Sequence, residues 1–245
     1  MLHFFKQKPF LTDLIPDNHI DIHSHLLPGI DDGAETINDA ISLAKQMSAI
    51  GFKNIITTPH IMTNVWDNSE ISIKSKYNET LKKITVQGHI NSFKAAAEYM
   101  IDTYFLKRLE KEKLLTLKDN LILVEIPYLF PPLQLFEILF EIQLAGYKPV
   151  LAHPERYPYY HNNFSIYEKL KKSGCYFQLN LLSTVGYYGG SIATVTDKLL
   201  KNGFYDFVGS DIHHQNHIEA FKRKICIKNQ SILTETIQKN LFFIK

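Results

Sequence analysis

The chain has 245 residues, of which 45% are hydrophobic and 21% charged, proportions that fit a soluble globular protein with one substantial core. A formal net charge of +2 supplies no basic footprint for nucleic acid, and two cysteines, Cys175 and Cys226, are too few for a disulfide framework. No segment reaches the roughly 18 unbroken apolar residues of a membrane span, and Met1-Leu2-His3-Phe4-Phe5-Lys6 lacks the apolar core of a signal peptide, so a cytoplasmic address is expected.

Residues 1–17 read as an N-terminal extension, with Asp13–Asp17 as a linker into a single domain spanning 18–245. Candidate strands follow at His19–Ser24, Asn54–Thr58, Phe93–Ala97, Leu121–Ile126, Pro149–Ala152, Tyr176–Asn180 and Asp206–Gly209. Amphipathic stretches separate them. In Glu35–Ile50, for example, Ile37, Ile41, Ala44 and Met47 recur at the spacing of one buried helix face. Gly51, Gly146, Gly174 and Gly203 each stand between a helical pattern and the next strand, where a C-cap glycine belongs. Repeated βα units point to a parallel sheet, open or closed into a barrel. No glycine-rich strand-to-helix loop of the dinucleotide or Walker type interrupts them, which disfavours a nucleotide-binding open sheet.

Residues that can bind metal collect at the C-terminal ends of these strands. The first ends in Asp21-Ile22-His23-Ser24-His25, with Asp32 close behind, and its period of two aims both imidazoles to one side. The second leads to Thr58-Pro59-His60, the third to Ala97-Glu98 and the fourth to Val124-Glu125. The fifth leads to Ala152-His153-Pro154-Glu155-Arg156 and the last to Ser210-Asp211-Ile212-His213-His214. Each residue alone has an ordinary reading: His60 in a loop, Glu98 on the surface, Asp211 as a helix N-cap. Their placement at successive strand ends, which converge on one face of a (β/α) barrel, favours an active site. Glu125 is the sharpest anomaly, because a carboxylate within an apolar strand is costly to bury unless it is paired or bound to metal. His3, His89 and His161 fall outside the pattern, and His19, His214 and His217 stay open.

A donor set of imidazoles and carboxylates without thiolate suits Mn, Fe or Zn in a hydrolytic site. It is too large for one ion, which implies two or three. Such a centre turns water into a bound hydroxide near neutral pH, and the guanidinium of Arg156 matches phosphate oxygens. The cysteine route to phosphate hydrolysis is excluded. A C-x5-R loop needs arginine six residues after cysteine, where this chain has Leu181 and Ile232.

At these residues the chain resembles the polymerase-and-histidinol-phosphatase (PHP) superfamily. More closely, it is similar to the bacterial metal-dependent tyrosine-protein phosphatases of the capsule and exopolysaccharide type, the CpsB/YwqE group. The phrases Asp-Ile-His-Ser-His-Leu-Leu-Pro-Gly-Ile-Asp-Asp-Gly, Ala-His-Pro-Glu-Arg-Tyr and Ser-Asp-Ile-His carry the likeness from Asp21 to about His214. The resemblance implies a distorted (β/α)7 barrel around a trinuclear centre, often manganese. It makes His23, His25, Asp32, His60, Glu98, Glu125, His153, Asp211 and His213 the ligands and Arg156 the phosphate-binding arginine. Members of the group carry a second arginine soon after Ser-Asp-x-His. Here His214-Gln215-Asn216-His217 fills that stretch and the next arginine is Arg223, leaving His214 or His217 as candidate replacements.

The function expected is hydrolysis of protein phosphotyrosine, with a bacterial tyrosine kinase tail as substrate. A small-molecule phosphomonoesterase such as histidinol phosphatase is the alternative on the same metals. A non-catalytic regulator on this barrel is the alternative of another class, disfavoured because none of the nine positions is substituted. Aromatic runs at Tyr157–Tyr160 and Tyr187-Tyr188 are open between recognition of a phosphotyrosine ring, subunit contact in a homo-oligomer and core packing.

Overall fold

The computed structural model describes residues 7–244. Its strands are β1 (His19–Asp21), β2 (Phe52–Thr57), β3 (His60–Ile61), β4 (Ser92–Ala95), β5 (Glu98–Met100), β6 (Leu121–Glu125), β7 (Lys148–Ala152), β8 (Tyr176–Asn180) and β9 (Phe207–Gly209). Every pairing between them is parallel, in the ladders β1-β2-β4 and β3-β5-β6-β7-β8-β9. The two ladders are parts of one ring. Only Thr58-Pro59 separates β2 from β3, and only Ala96-Ala97 separates β4 from β5. Proline offers no N–H to a ladder, and the register passes the break through Ala96 N–H to Thr57 O (2.9 Å) and Glu98 N–H to Pro59 O (3.1 Å). At the other seam Ser24 pairs with Ile212, with Asp211 N–H on His23 O at 2.7 Å and His25 N–H on Ile212 O at 2.9 Å. Seven strand positions, two of them broken, thus close into a distorted (β/α)7 barrel.

Alternation along the strands divides the core. Ile20, Ile56, Leu123, Val150 and Phe207 point into the barrel, while Ile55, Ile122, Val124, Leu151 and Val208 pack outward under the helices. Phe243 plugs the bottom against Phe207, their rings 4.8 Å apart. Beside it the Asn240 amide donates to Ile20 O and Val208 O and accepts Val208 N–H, stitching β9 to β1 where they make no ladder.

The helices are α1 (Ile37–Ile50), α2 (Glu70–Thr85), α3 (Phe105–Lys111), α4 (Leu135–Leu144), α5 (Ser165–Lys172), α6 (Gly190–Lys201), α7 (Gln215–Phe221) and α8 (Gln230–Lys239). α1 starts two residues later than its pattern suggests, because Thr36 and Asp39 form a reciprocal capping box there. Its buried face centres on Ala40, Leu43, Ala44 and Met47, with Ile37 and Ile41 at the edge. Gly51 ends it at φ +127°, where a Cβ would sit 2.7 Å from Pro16 O. The expected linker Asp13–Asp17 is more ordered than its composition suggests. Leu11–Leu14 is a 3-10 turn, and Leu11 and Ile15 are buried. Leu11 N–H to Arg223 O and Ile225 N–H to Pro9 O tie this segment to the chain after α7. Among the described residues no helix is long and apolar enough to cross a membrane.

Candidate metal centre

The parallel ring carries all its strands' C-terminal ends to one rim, and the nine residues singled out in the sequence meet there. His23 and His25 lie just past β1, which ends at Asp21. Asp32 comes from the following loop, His60 from β3, Glu98 from β5, Glu125 from the last position of β6, His153 from just after β7, and Asp211 and His213 from just after β9. Four mutually close groups result: His25, Asp32, His60 and His213; His23, Glu98 and His153; His23, His25 and Asp211; His60, Glu98 and Glu125. Glu98 is the hub. Its Oε2 is 3.1 Å from His23 Nε2 and 3.2 Å from His60 Nδ1, and its Oε1 is 3.2 Å from His153 Nε2. Asp211 Oδ1 faces the same His23 Nε2 at 3.2 Å and His25 Nε2 at 3.5 Å. Glu125 ends its strand mostly buried, its side chain 12% exposed, with its carboxylate 2.9 Å from His60 Nδ1, so it leaves the apolar run that surrounds it in sequence and points into the cluster. His153 and Asp211 both adopt positive φ, +35° and +53°, a conformation uncommon for non-glycine residues, although Asp and His adopt it more readily than most.

The electrostatics of this cluster call for a cation. Burial alone would raise the carboxyls of Glu98 and Asp211, but the surrounding imidazoles outweigh it and hold both well below the carboxylate range. Burial alone would lower His23, but Glu98 and Asp211 pull it up to about 10. At the centre, His25 Nε2, His60 Nδ1 and Glu98 Oε1 are buried without a hydrogen bond of acceptable geometry, although oppositely charged or ring atoms lie 2.9–3.5 Å away. Buried polar atoms left unpaired are rare, and here they are ring nitrogens and a carboxylate oxygen converging on shared space. Divalent metal fits this set: it supplies positive charge to the carboxylates and takes the lone pairs of neutral imidazoles.

Around the cluster, other residues fix how the rings are held. Gln178 Oε1 is 2.8 Å from His23 Nδ1, and Asp31 Oδ2 is 2.8 Å from His25 Nδ1, which leaves each Nε2 facing inward. Asp31 also accepts from the Gly33 and His60 N–H groups. Burial would raise its carboxyl, but His25 and His60 bring it down to about 2. Gly33 and Gly209 make room for the rings. A Cβ on Gly33 would lie 2.1 Å from His25 O, and one on Gly209 would lie 2.6 Å from His23 Cβ. Asp21 accepts the N–H and Oγ of Ser210, fixing the turn that presents Asp211. Trp66 stacks on His60 at 4.9 Å.

Arg156 stands beside the cluster. Its Nη1 donates to Asp211 Oδ2 at 2.7 Å and its guanidinium lies 4.3 Å from the centre of the Tyr188 ring. Asn180 donates to both Asp211 Oδ2 and the Tyr188 hydroxyl, bracing the arrangement. Buried Glu155 in turn anchors Asn180 by accepting its N–H at 3.0 Å, along with the Ser183 and Tyr205 hydroxyls. Arg156 lines an open cleft of about 180 Å³ with Asp32, Tyr188, His213, His214 and His217. A roomier cavity of about 510 Å³ lies at the opposite end of the barrel, lined by Asp119, Lys148, Phe207 and Lys239 among others, and borders none of the nine residues.

His217 Nδ1 accepts the His213 N–H, and burial pushes its ring down to about 3, so it does not replace a cationic clamp. His214 is exposed, with its pKa lowered by partial burial and by His213. Arg223 lies over Tyr187 rather than on the cluster. His161 bonds Glu155 O, His89 lies in the α2–β4 connection, and neither reaches the cluster. His3 lies outside the described residues. Tyr157 is core, its hydroxyl bridging Ile126 N–H and Ala152 O, and Tyr159 bonds Pro127 O. Asp31, Gln178 and Trp66 were not singled out in the sequence, whereas Tyr188, left open there, lies at the cleft beside Arg156. Gln178 had a signal available, as a polar residue inside the apolar strand Tyr176–Asn180.

A closed parallel barrel with buried imidazoles and carboxylates at its C-terminal rim is a metallohydrolase architecture. The chain belongs to the capsular polysaccharide synthesis CpsB/CapC family, whose model matches residues 19–241. It is 31% identical to the tyrosine-protein phosphatase YwqE of Bacillus subtilis over 196 residues, covering 80% of this chain and 77% of that one. It is 27% identical to the putative tyrosine-protein phosphatase CapC of Staphylococcus aureus, over 79% of this chain and 76% of CapC. A solved structure from work on YwqE and Streptococcus pneumoniae CpsB, described as unique metal-dependent tyrosine phosphatases, superposes with a TM-score of 0.75 at 28% identity. It covers 92% of this chain and 85% of that one.

Proposed function

We propose that this protein is a metal-dependent phosphatase acting on protein phosphotyrosine, with a phosphorylated bacterial tyrosine kinase in the cytoplasm as its partner in capsule or exopolysaccharide regulation. One observation carries the reading: nine metal-capable side chains, with unpaired buried atoms at their centre, adjoin an arginine open to a cleft. His23, His25, Asp32, His60, Glu98, Glu125, His153, Asp211 and His213 would hold two or three divalent ions, manganese foremost and iron or zinc as alternatives. Bound there, the ions supply Lewis acidity and a water acidified towards neutral pH.

The chain's own residues do the rest. Gln178 and Asp31 set the tautomers of His23 and His25, so the inward nitrogens present lone pairs. Arg156 binds the phosphoryl group with the donors that Asp211 leaves free, and the Tyr188 ring keeps the guanidinium in plane. The clamp gains strength as negative charge builds on the transferring group in a partly dry site. Arg156→Ala is therefore expected to retain its metal while turnover falls about 10²–10³-fold. An unchanged rate in the metallated variant removes Arg156 from the mechanism.

Substrate class is tested by comparing kcat/KM for a phosphotyrosine peptide and for histidinol phosphate on the same manganese-loaded protein. Preference for the peptide is the expected result. Preference for histidinol phosphate assigns the small-molecule alternative, and no hydrolysis of either by loaded protein returns the non-catalytic one.

A further inference from the structure

The most apolar part of the surface is one continuous stretch of chain, from the loop after β6 through α4. Leu129, Phe130, Leu133, Phe136, Phe140 and Leu144 are exposed to degrees running from 39% at Phe136 to complete exposure at Leu133. Weighted by exposure, these six side chains present on the order of 800 Å² of apolar surface. That exceeds the largest patch on a typical monomer and is about what one partner brings to a stable protein interface.

α4 is built differently from its neighbours. Leu135, Ile138, Leu139 and Ile142 bury one face against the barrel, and Phe136, Phe140 and Leu144 at i, i+4 and i+8 make a second apolar stripe facing outward. A helix apolar on both faces is one that is covered on both faces. α5, beside it, instead turns Lys169 and Lys172 out from its last turn, with Lys171 paired to Asp206. The loop that continues the stripe holds its apolar tips out on a stiff frame. Pro131-Pro132 limits its freedom, and Tyr159 Oη donates to Pro127 O at 2.9 Å, so little ordering cost remains for association.

We infer that this surface is a homodimer interface, its occupant the same stripe on a second copy of the chain. Two observations select that occupant. The stripe is a single self-similar row, which a two-fold axis can pair with itself. α4 also carries Glu137 and Glu141 and no basic residue, so it offers no counter-charge to a phosphorylated protein. The proposal does not depend on the chemistry assigned to the metal centre, since none of these residues belongs to it.

Sedimentation equilibrium of the full chain across micromolar concentrations tests it. Wild type should run at twice its 28.3 kDa. Phe140→Glu combined with Leu144→Glu should run as a monomer with the wild-type circular dichroism, thermal midpoint and p-nitrophenyl phosphate turnover. Phe136→Lys, at the other end of the stripe, should weaken dimerisation at least tenfold and guards against misfolding of the double variant. A wild type that stays monomeric, or a double variant that stays dimeric, overturns the proposal. A monomeric wild type whose Phe140→Glu, Leu144→Glu variant shows a raised KM for a phosphoprotein, but not for p-nitrophenyl phosphate, overturns it in favour of a substrate-docking surface.

Discussion

His19 and His23 sit four residues apart at the two ends of the same short run, and both are fully buried, yet their surroundings give them opposite characters. At the rim, His23 meets Gln178, Glu98 and Asp211, and the carboxylates hold its proton up to about 10 in spite of burial. At the bottom, neither ring nitrogen of His19 has a hydrogen-bond partner, Phe52 lies against the ring, and burial pushes its pKa down to about 4. Burial is common to both. What differs is whether charge has been placed against the ring to answer it: carboxylates face His23, and none is bonded to His19. The C-terminal rim invites cations; the N-terminal end is packing.

The largest test of that contrast removes the hub. Glu98→Gln keeps the shape of the side chain and deletes the charge that four imidazoles face. Metal content by elemental analysis and phosphotyrosine turnover should both collapse, by more than the 10–100-fold typical of an outer-sphere change. Full metal content in Glu98→Gln would show that the rim does not need this charge. Gln178→Leu probes one step further out. Without the amide, His23 loses the partner at Nδ1 that fixes its tautomer, and manganese affinity measured by titration should fall about 10–100-fold with the fold intact.

At the other end, His19→Leu should leave metal and turnover unchanged and alter only acid stability. An imidazole of ordinary pKa 6.5 held at about 4 in the folded protein favours folding fully above pH 6.5. That contribution fades as pH falls from 6.5 to 4 and costs nothing further below. Over that window wild type should lose about 3 kcal/mol more than His19→Leu in denaturant titrations. Equal acid profiles would mean that His19 finds a partner for its proton.

The difference between the two ends also governs what was legible in the sequence. Seven strand patterns, the capping glycines and the strand-end histidines and acids could be read directly, because periodicity and unusual residue placement are local signals. The breaks at Thr58-Pro59 and Ala96-Ala97 that carry His60 and Glu98 inward were not read, although Pro59 marks one of them. Gln178 was passed over because it touches a ring from another strand, which no spacing along the chain encodes, and Asp31 because which acid of Asp31-Asp32 turns back onto His25 depends on how the loop folds. The tyrosine runs stayed open for the same reason, and they divide: Tyr188 lies against Arg156 at the cleft. Tyr157 and Tyr160 are core, while the exposed apolar surface lies at 128–144, where Pro-rich loop and helix each read as ordinary by pattern. What a buried face packs against is a tertiary fact.

The most direct test of the central claim, that the rim cluster works through bound metal, is phosphotyrosine hydrolysis followed through exhaustive chelation and readdition of manganese, with metal content measured at each stage. Activity should vanish as the metal leaves and return with it, and Cys175→Ser and Cys226→Ser should behave as wild type throughout. Undiminished hydrolysis by metal-free protein would contradict the account.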